Sequence, residues 1–209
     1  SFGRGPDCGV VSATVDGLPL VKGIRTDIAI YKAGRTGTNE VSGFLEGGDC
    51  LATMNAFRAM GVKIDHYGEG QVRIQGAGLK GLKKPDTPLD LGNSGTSMRL
   101  MTGICAGQDF DVTLVGDASL SKRPMRRVTE PVSAMGAVIE TNKGGTPPLK
   151  ISGGHPLKGI DYVLPMASAQ VKSCLLLAGL YAQGKTCVTE PAPTRDHTER
   201  MLRGFGYPV

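Results

Sequence analysis

Phe57-Arg58-Ala59-Met60-Gly61-Val62-Lys63-Ile64 reads as a helix that ends on a glycine and turns directly into a strand. The same sentence is written twice more, as Val132-Ser133-Ala134-Met135-Gly136-Ala137-Val138-Ile139 and as Leu202-Arg203-Gly204-Phe205-Gly206-Tyr207-Pro208-Val209. A second phrase repeats with it: Val72-Arg73-Ile74-Gln75-Gly76 is echoed by Leu149-Lys150-Ile151-Ser152-Gly153, and the alternation of apolar and polar residues in both marks half-buried strands. The chain therefore reads as about three copies of a unit of roughly 70 to 75 residues, longer than the common solenoid periods. Each unit reads as helix, strand, helix, strand, strand.

Working outward, helices are predicted at 49–60, 96–106, 125–135, 169–181 and 196–204, with Leu51, Met54 and Phe57 spaced along one buried face. Pro131 should kink or shorten the third. Strands are predicted between them at 39–44, 111–116 and 186–190. The run 171–182 is apolar nearly all round, which places its helix at the centre.

Composition bounds the chemistry. The 209 residues are 40% hydrophobic and 21% charged, values of a globular chain long enough for a substantial core. A net charge of +5 suits small anionic ligands; with aromatics at 5% and no tryptophan, nothing resembles a nucleic-acid surface. Five scattered cysteines and three isolated histidines show no metal-binding spacing, so no metal and no cofactor is expected, and the thiols read as reduced. No apolar run is long enough to span a bilayer, and a cytoplasmic location is expected.

Three helix starts carry polar or cationic groups. Leu91-Gly92-Asn93-Ser94-Gly95-Thr96-Ser97-Met98-Arg99 opens a flexible turn onto an apolar helix, where free N–H groups and the helix dipole would face an oxyanion. Lys122-Arg123-Pro124-Met125 follows, then Ser168-Ala169-Gln170-Val171-Lys172-Ser173 and Thr194-Arg195-Asp196-His197-Thr198-Glu199. Gly179-Leu180-Tyr181-Ala182-Gln183-Gly184-Lys185-Thr186 also satisfies the P-loop pattern letter by letter. A P-loop needs a strand before it and a helix after it, and here the order is reversed, so nucleotide binding is the weaker alternative.

With Gly43-Phe44-Leu45-Glu46-Gly47-Gly48-Asp49, these ordered strings resemble the 5-enolpyruvylshikimate-3-phosphate synthase family over about residues 40–205. The resemblance implies an α/β (α+β) domain of three repeated units with helices inside and sheets outside, one half of an inside-out α/β barrel. It also implies transfer of the enolpyruvyl group of phosphoenolpyruvate to shikimate 3-phosphate in aromatic amino acid biosynthesis. By motif position, Ser168, Ala169, Gln170 and Arg195 would hold shikimate 3-phosphate, and Asn93, Gly95, Thr96 and Arg123 would hold phosphoenolpyruvate or its analogue glyphosate. Lys22 would touch both substrates. Family members are about twice as long, and their acid/base residues lie in a second domain, so this chain would bind substrates, need a separate C-terminal half for turnover, and offer no catalytic residue of its own. A binding module for shikimate 3-phosphate or glyphosate is the competing expectation; the related transferase acting on UDP-N-acetylglucosamine is a weaker one. Near Leu18 to Asp27 the family signature is damaged, with only Pro19, Lys22 and Ile24 fitting. Residues 1–42 are accordingly expected to form an atypical segment and 43–209 the binding domain.

Overall fold

The computed structural model describes residues 36–209. Nine strands and five helices appear among them in the order β1 (Thr36–Val41), α1 (Gly48–Ala59), β2 (Lys63–Gly68), β3 (Gln71–Ala77), β4 (Leu89–Asp90), α2 (Gly95–Ala106), β5 (Val112–Val115), α3 (Arg126–Ala134), β6 (Val138–Glu140), β7 (Leu149–Ser152), β8 (Asp161–Val163), α4 (Ala169–Gly179), β9 (Cys187–Thr189) and α5 (His197–Gly204).

The repeat is visible in the hydrogen bonds. At the ends of α1, α3 and α5 the glycines Gly61, Gly136 and Gly206 adopt φ of +84°, +111° and +80°. Their amides bond three residues back, to Arg58, Ser133 and Arg203, and the next amides bond five back, from Val62 to Phe57, Ala137 to Val132 and Tyr207 to Leu202. This is one Schellman cap made three times, and only glycine enters that left-handed region without strain.

Sheet topology repeats with it. The middle unit is complete, with strand order β4-β5-β7-β6, β4 parallel to β5 and the remainder antiparallel. In the first unit the order β1-β3-β2 reproduces the antiparallel β5-β7-β6 part, and in the third the parallel pair β8-β9 reproduces β4-β5. The unit is thus strand, helix, strand, helix, strand, strand; the opening strand was not anticipated because β4 has two residues and β8 three, too few to show alternation.

Every sheet buries one face on the helices. Val72 and Ile74 of β3 and Leu149 and Ile151 of β7 point inward, while Arg73 and Lys150 stay exposed. Helices α2 and α4 cross at the centre, closely enough that a Cβ on Gly103 would stand 2.2 Å from the Cys174 carbonyl oxygen. All of α2 is buried except Thr96 and Arg99. Helix α3 is held to nine residues with Pro131 inside it. No helix of the described residues is long and apolar enough to cross a membrane.

One expectation is corrected. The first strand spans 36–41 rather than 39–44, because Gly43 at φ +71° turns the chain away. Cys50, Cys105 and Cys174 are buried.

Candidate functional site

The two residues of α2 that escape burial, Thr96 and Arg99, are one turn apart on the face where three helix starts meet. Ser94 caps this helix, its Oγ accepting from the Ser97 amide at 3.2 Å. A hydroxyl chain then ties the cap to α1, with Ser94 Oγ 2.5 Å from Ser97 Oγ and Ser97 Oγ 2.6 Å from Thr53 Oγ1. The first-turn amides of Gly95 and Thr96 have no intrahelical acceptor, so the anchored turn presents donors and a positive dipole end.

One cluster forms around Gly95. Arg123 Nη2 donates to Asn93 Oδ1 at 2.6 Å, and Asn93 Nδ2 donates to Asp117 Oδ2 at 2.7 Å. The Asn93 amide and the amides of Leu120 and Ser119 hold the Asp117 carboxyl below the usual carboxylate range. Asp117 thereby orients Asn93 and, through it, the guanidinium. Arg99 Nη1 donates to the Gly95 carbonyl at 3.0 Å. Burial, and after it the neighbouring charges of Arg123 and Arg127, depress the pKa of Arg99. Arg99, Arg123 and Arg127 make no ion pair among the described residues. The charges of Arg123 and Arg127 act on Arg99, and Arg123 also acts on the Asp117 carboxyl; guanidiniums gathered in this way suit an anionic group.

A second cluster lies beside it. Thr96, Ala169, Gln170, Ser173, Arg195 and His197 are among the residues lining a cavity of about 180 Å³. Gln170 Nε2 donates to Thr96 Oγ1 at 2.8 Å, joining α2 to α4 across the floor. Arg195 is exposed and makes no ion pair among the described residues. His197 Nδ1 is buried with no hydrogen-bond partner among them. Ser168 caps α4 through the Val171 amide at 3.4 Å and is not among the residues lining that cavity.

The anticipated residues therefore fall into two adjoining groups, with Asn93, Gly95 and Arg123 in one and Ala169, Gln170 and Arg195 in the other. Thr96 belongs to the second by position and is bonded to Gln170. Lys22 lies outside the described residues. Arg99 and His197 stand inside the quoted motifs but were given no role; for Arg99 a lone cation in an otherwise apolar helical run was the available signal. The false P-loop is settled by topology, since α4 ends at Gly179, β9 follows, and Lys185 is exposed.

Fold and site together define an α/β domain of repeated units that gathers cations and polar helix starts into two neighbouring groups. Residues 30–209 match the family model for EPSP synthase (3-phosphoshikimate 1-carboxyvinyltransferase), and the chain belongs to that family. It is 74% identical over 173 residues to the 3-phosphoshikimate 1-carboxyvinyltransferase of Methylococcus capsulatus, covering 83% of this chain and 40% of that protein. It is 61% identical over 192 residues to that of Nitrosococcus oceani, covering 92% and 43%. The structure of EPSP synthase from Acinetobacter baumannii superposes with a TM-score of 0.85 at 60% identity, over 87% of this chain and 41% of that one. The chain thus spans about two fifths of the length of the relatives it matches.

Proposed function

We propose that this chain supplies the shikimate 3-phosphate-binding part of an EPSP synthase, and that enolpyruvyl transfer requires the remainder of the enzyme. The observation that carries the reading is the cavity in which Gln170, Thr96 and Arg195 converge, with Arg195 making no ion pair among the described residues. Shikimate 3-phosphate offers the matching chemistry: hydroxyls for Gln170, Thr96 and the Ser168 hydroxyl, and anionic groups for Arg195. The Asn93, Gly95 and Arg123 group, reinforced by Arg99, would take the phosphate of phosphoenolpyruvate or the phosphonate of glyphosate. Lys22 would reach both substrates. Residues 43–209 form the binding domain in this reading, preceded by the atypical segment 1–42, and the cytoplasm is its place of work.

Among the described residues the first group holds one carboxylate, Asp117, already engaged by Asn93, and the second one histidine, His197; the resemblance places the acid and base that the transfer needs in the second domain. The isolated 209-residue chain should accordingly release no phosphate above background from the two substrates. Mixing it with the complementary part of a relative should restore release in a coupled assay. Turnover by the chain alone would contradict the division of labour. Tight binding of shikimate 3-phosphate with no turnover in any mixture would favour the second reading, a non-catalytic module for shikimate 3-phosphate or glyphosate.

A further inference from the structure

Lys172 lies two residues beyond Gln170 on α4 and is 7% exposed at its side chain. Its Nζ stands 2.7 Å from Glu190 Oε2 and 2.8 Å from Glu199 Oε1. The other oxygen of Glu190 accepts from the hydroxyl of Thr194, the residue immediately before Arg195. Glu199 sits in the first turn of α5, beside Thr198, whose Oγ1 is 2.6 Å from Ser173 Oγ on α4. The segment that carries Arg195 is therefore fastened on both sides to one ammonium, with Glu190 before it and Glu199 after it.

Burial works against the Lys172 charge, but its bonds to Glu190 and Glu199 outweigh that and raise its pKa, so the ammonium stays charged. A buried ion pair of this kind gives little net stability, because desolvation offsets the attraction. What it fixes is geometry. Arg195 itself is exposed and unpaired among the described residues, so its own side chain does not hold its loop.

We propose that Lys172, Glu190 and Glu199 form a latch that positions Arg195 over the Gln170–Thr96 cavity, making them positioning residues for the anion held there. The proposal rests on the reading of that cavity as the shikimate 3-phosphate site. Glu190→Gln is the informative variant, since it keeps the side-chain size and leaves Lys172 neutralised by Glu199, and a Thr194 partner remains.

Two measurements on the full 209-residue chain decide it. In calorimetric titration with shikimate 3-phosphate, Glu190→Gln should weaken binding about tenfold in the parent background and by less than about twofold in an Arg195→Ala background, as expected when one residue acts through another. Equal losses in both backgrounds, or none in the parent, overturn the latch. Independently of any ligand, native-state tryptic cleavage after Arg195 should accelerate several-fold in Glu190→Gln, while cleavage after Arg127 keeps its rate. An unchanged rate at Arg195 overturns the latch. If the parent does not bind shikimate 3-phosphate, the cavity assignment fails, and the cleavage rate alone decides whether the loop is latched.

Discussion

Gly95 sits where two guanidiniums meet: a Cβ there would stand 2.8 Å from Arg99 Nη1 and 3.2 Å from Arg123 Nη1. Both are the far ends of flexible side chains, so Gly95→Ala should fold normally while pushing the cations apart. Losing the aim of one charge-assisted contact should weaken glyphosate about tenfold, whereas shikimate 3-phosphate, which we assign to the neighbouring cavity, should change by less than about twofold. Parallel titrations check this; equal losses for both ligands would mean that the two groups are one site. The buried thiols make a different residue-scale prediction. Burial pushes Cys105 and Cys174 up to about 12, whereas in the unfolded chain they titrate near about 8.5. The fold holds the neutral thiol, so unfolding releases protons in this window. Stability is then full below about pH 8 and falls by up to about 1.4 kcal/mol per pH unit for each thiol as pH rises toward 12. Urea midpoints at pH 7.5 and 10 should show the drop, and the pair Cys105→Ala and Cys174→Ala should flatten it. A parent midpoint that does not move contradicts the burial argument.

At the scale of elements, the crossing of α2 over α4 is the tightest joint of the core. Gly103→Ala would drive a methyl to 2.2 Å from the Cys174 carbonyl oxygen, a backbone atom that cannot step aside. The cost should reach about 1–3 kcal/mol or more, read from a lowered denaturation midpoint with an unchanged slope. A midpoint unchanged from the parent would mean that the helices do not cross as closely as described. All five helices were legible in the sequence, their ends within about two residues, because each carries a sustained apolar period and three close on a glycine. Strands β4 and β8 were not, since their pairing is set by a parallel neighbour rather than by their own two or three residues. Likewise the Ser94, Gln170 and Arg195 motifs announced themselves at helix starts. The Lys172–Glu190–Glu199 cluster did not, because residues eighteen or more apart meet only after α4, β9 and α5 have packed.

Across the whole molecule, an internal repeat sets helices inside and sheets outside, and the same packing brings the starts of α2, α4 and α5 to one face. The sequence alone could place Thr96 and Gln170 on different motifs; only the crossing of α2 and α4 brings them to 2.8 Å. We expect this face to bind shikimate 3-phosphate through the Gln170–Arg195 side rather than through Arg123. Calorimetric titration of shikimate 3-phosphate into the parent chain, Arg195→Ala and Arg123→Ala tests it directly. Arg195→Ala should remove a charge-assisted contact of about 1.5–3 kcal/mol, tenfold or more in affinity, while Arg123→Ala should cost well under about 1 kcal/mol. Equal losses in the two variants, or no binding by the parent chain, would contradict the account.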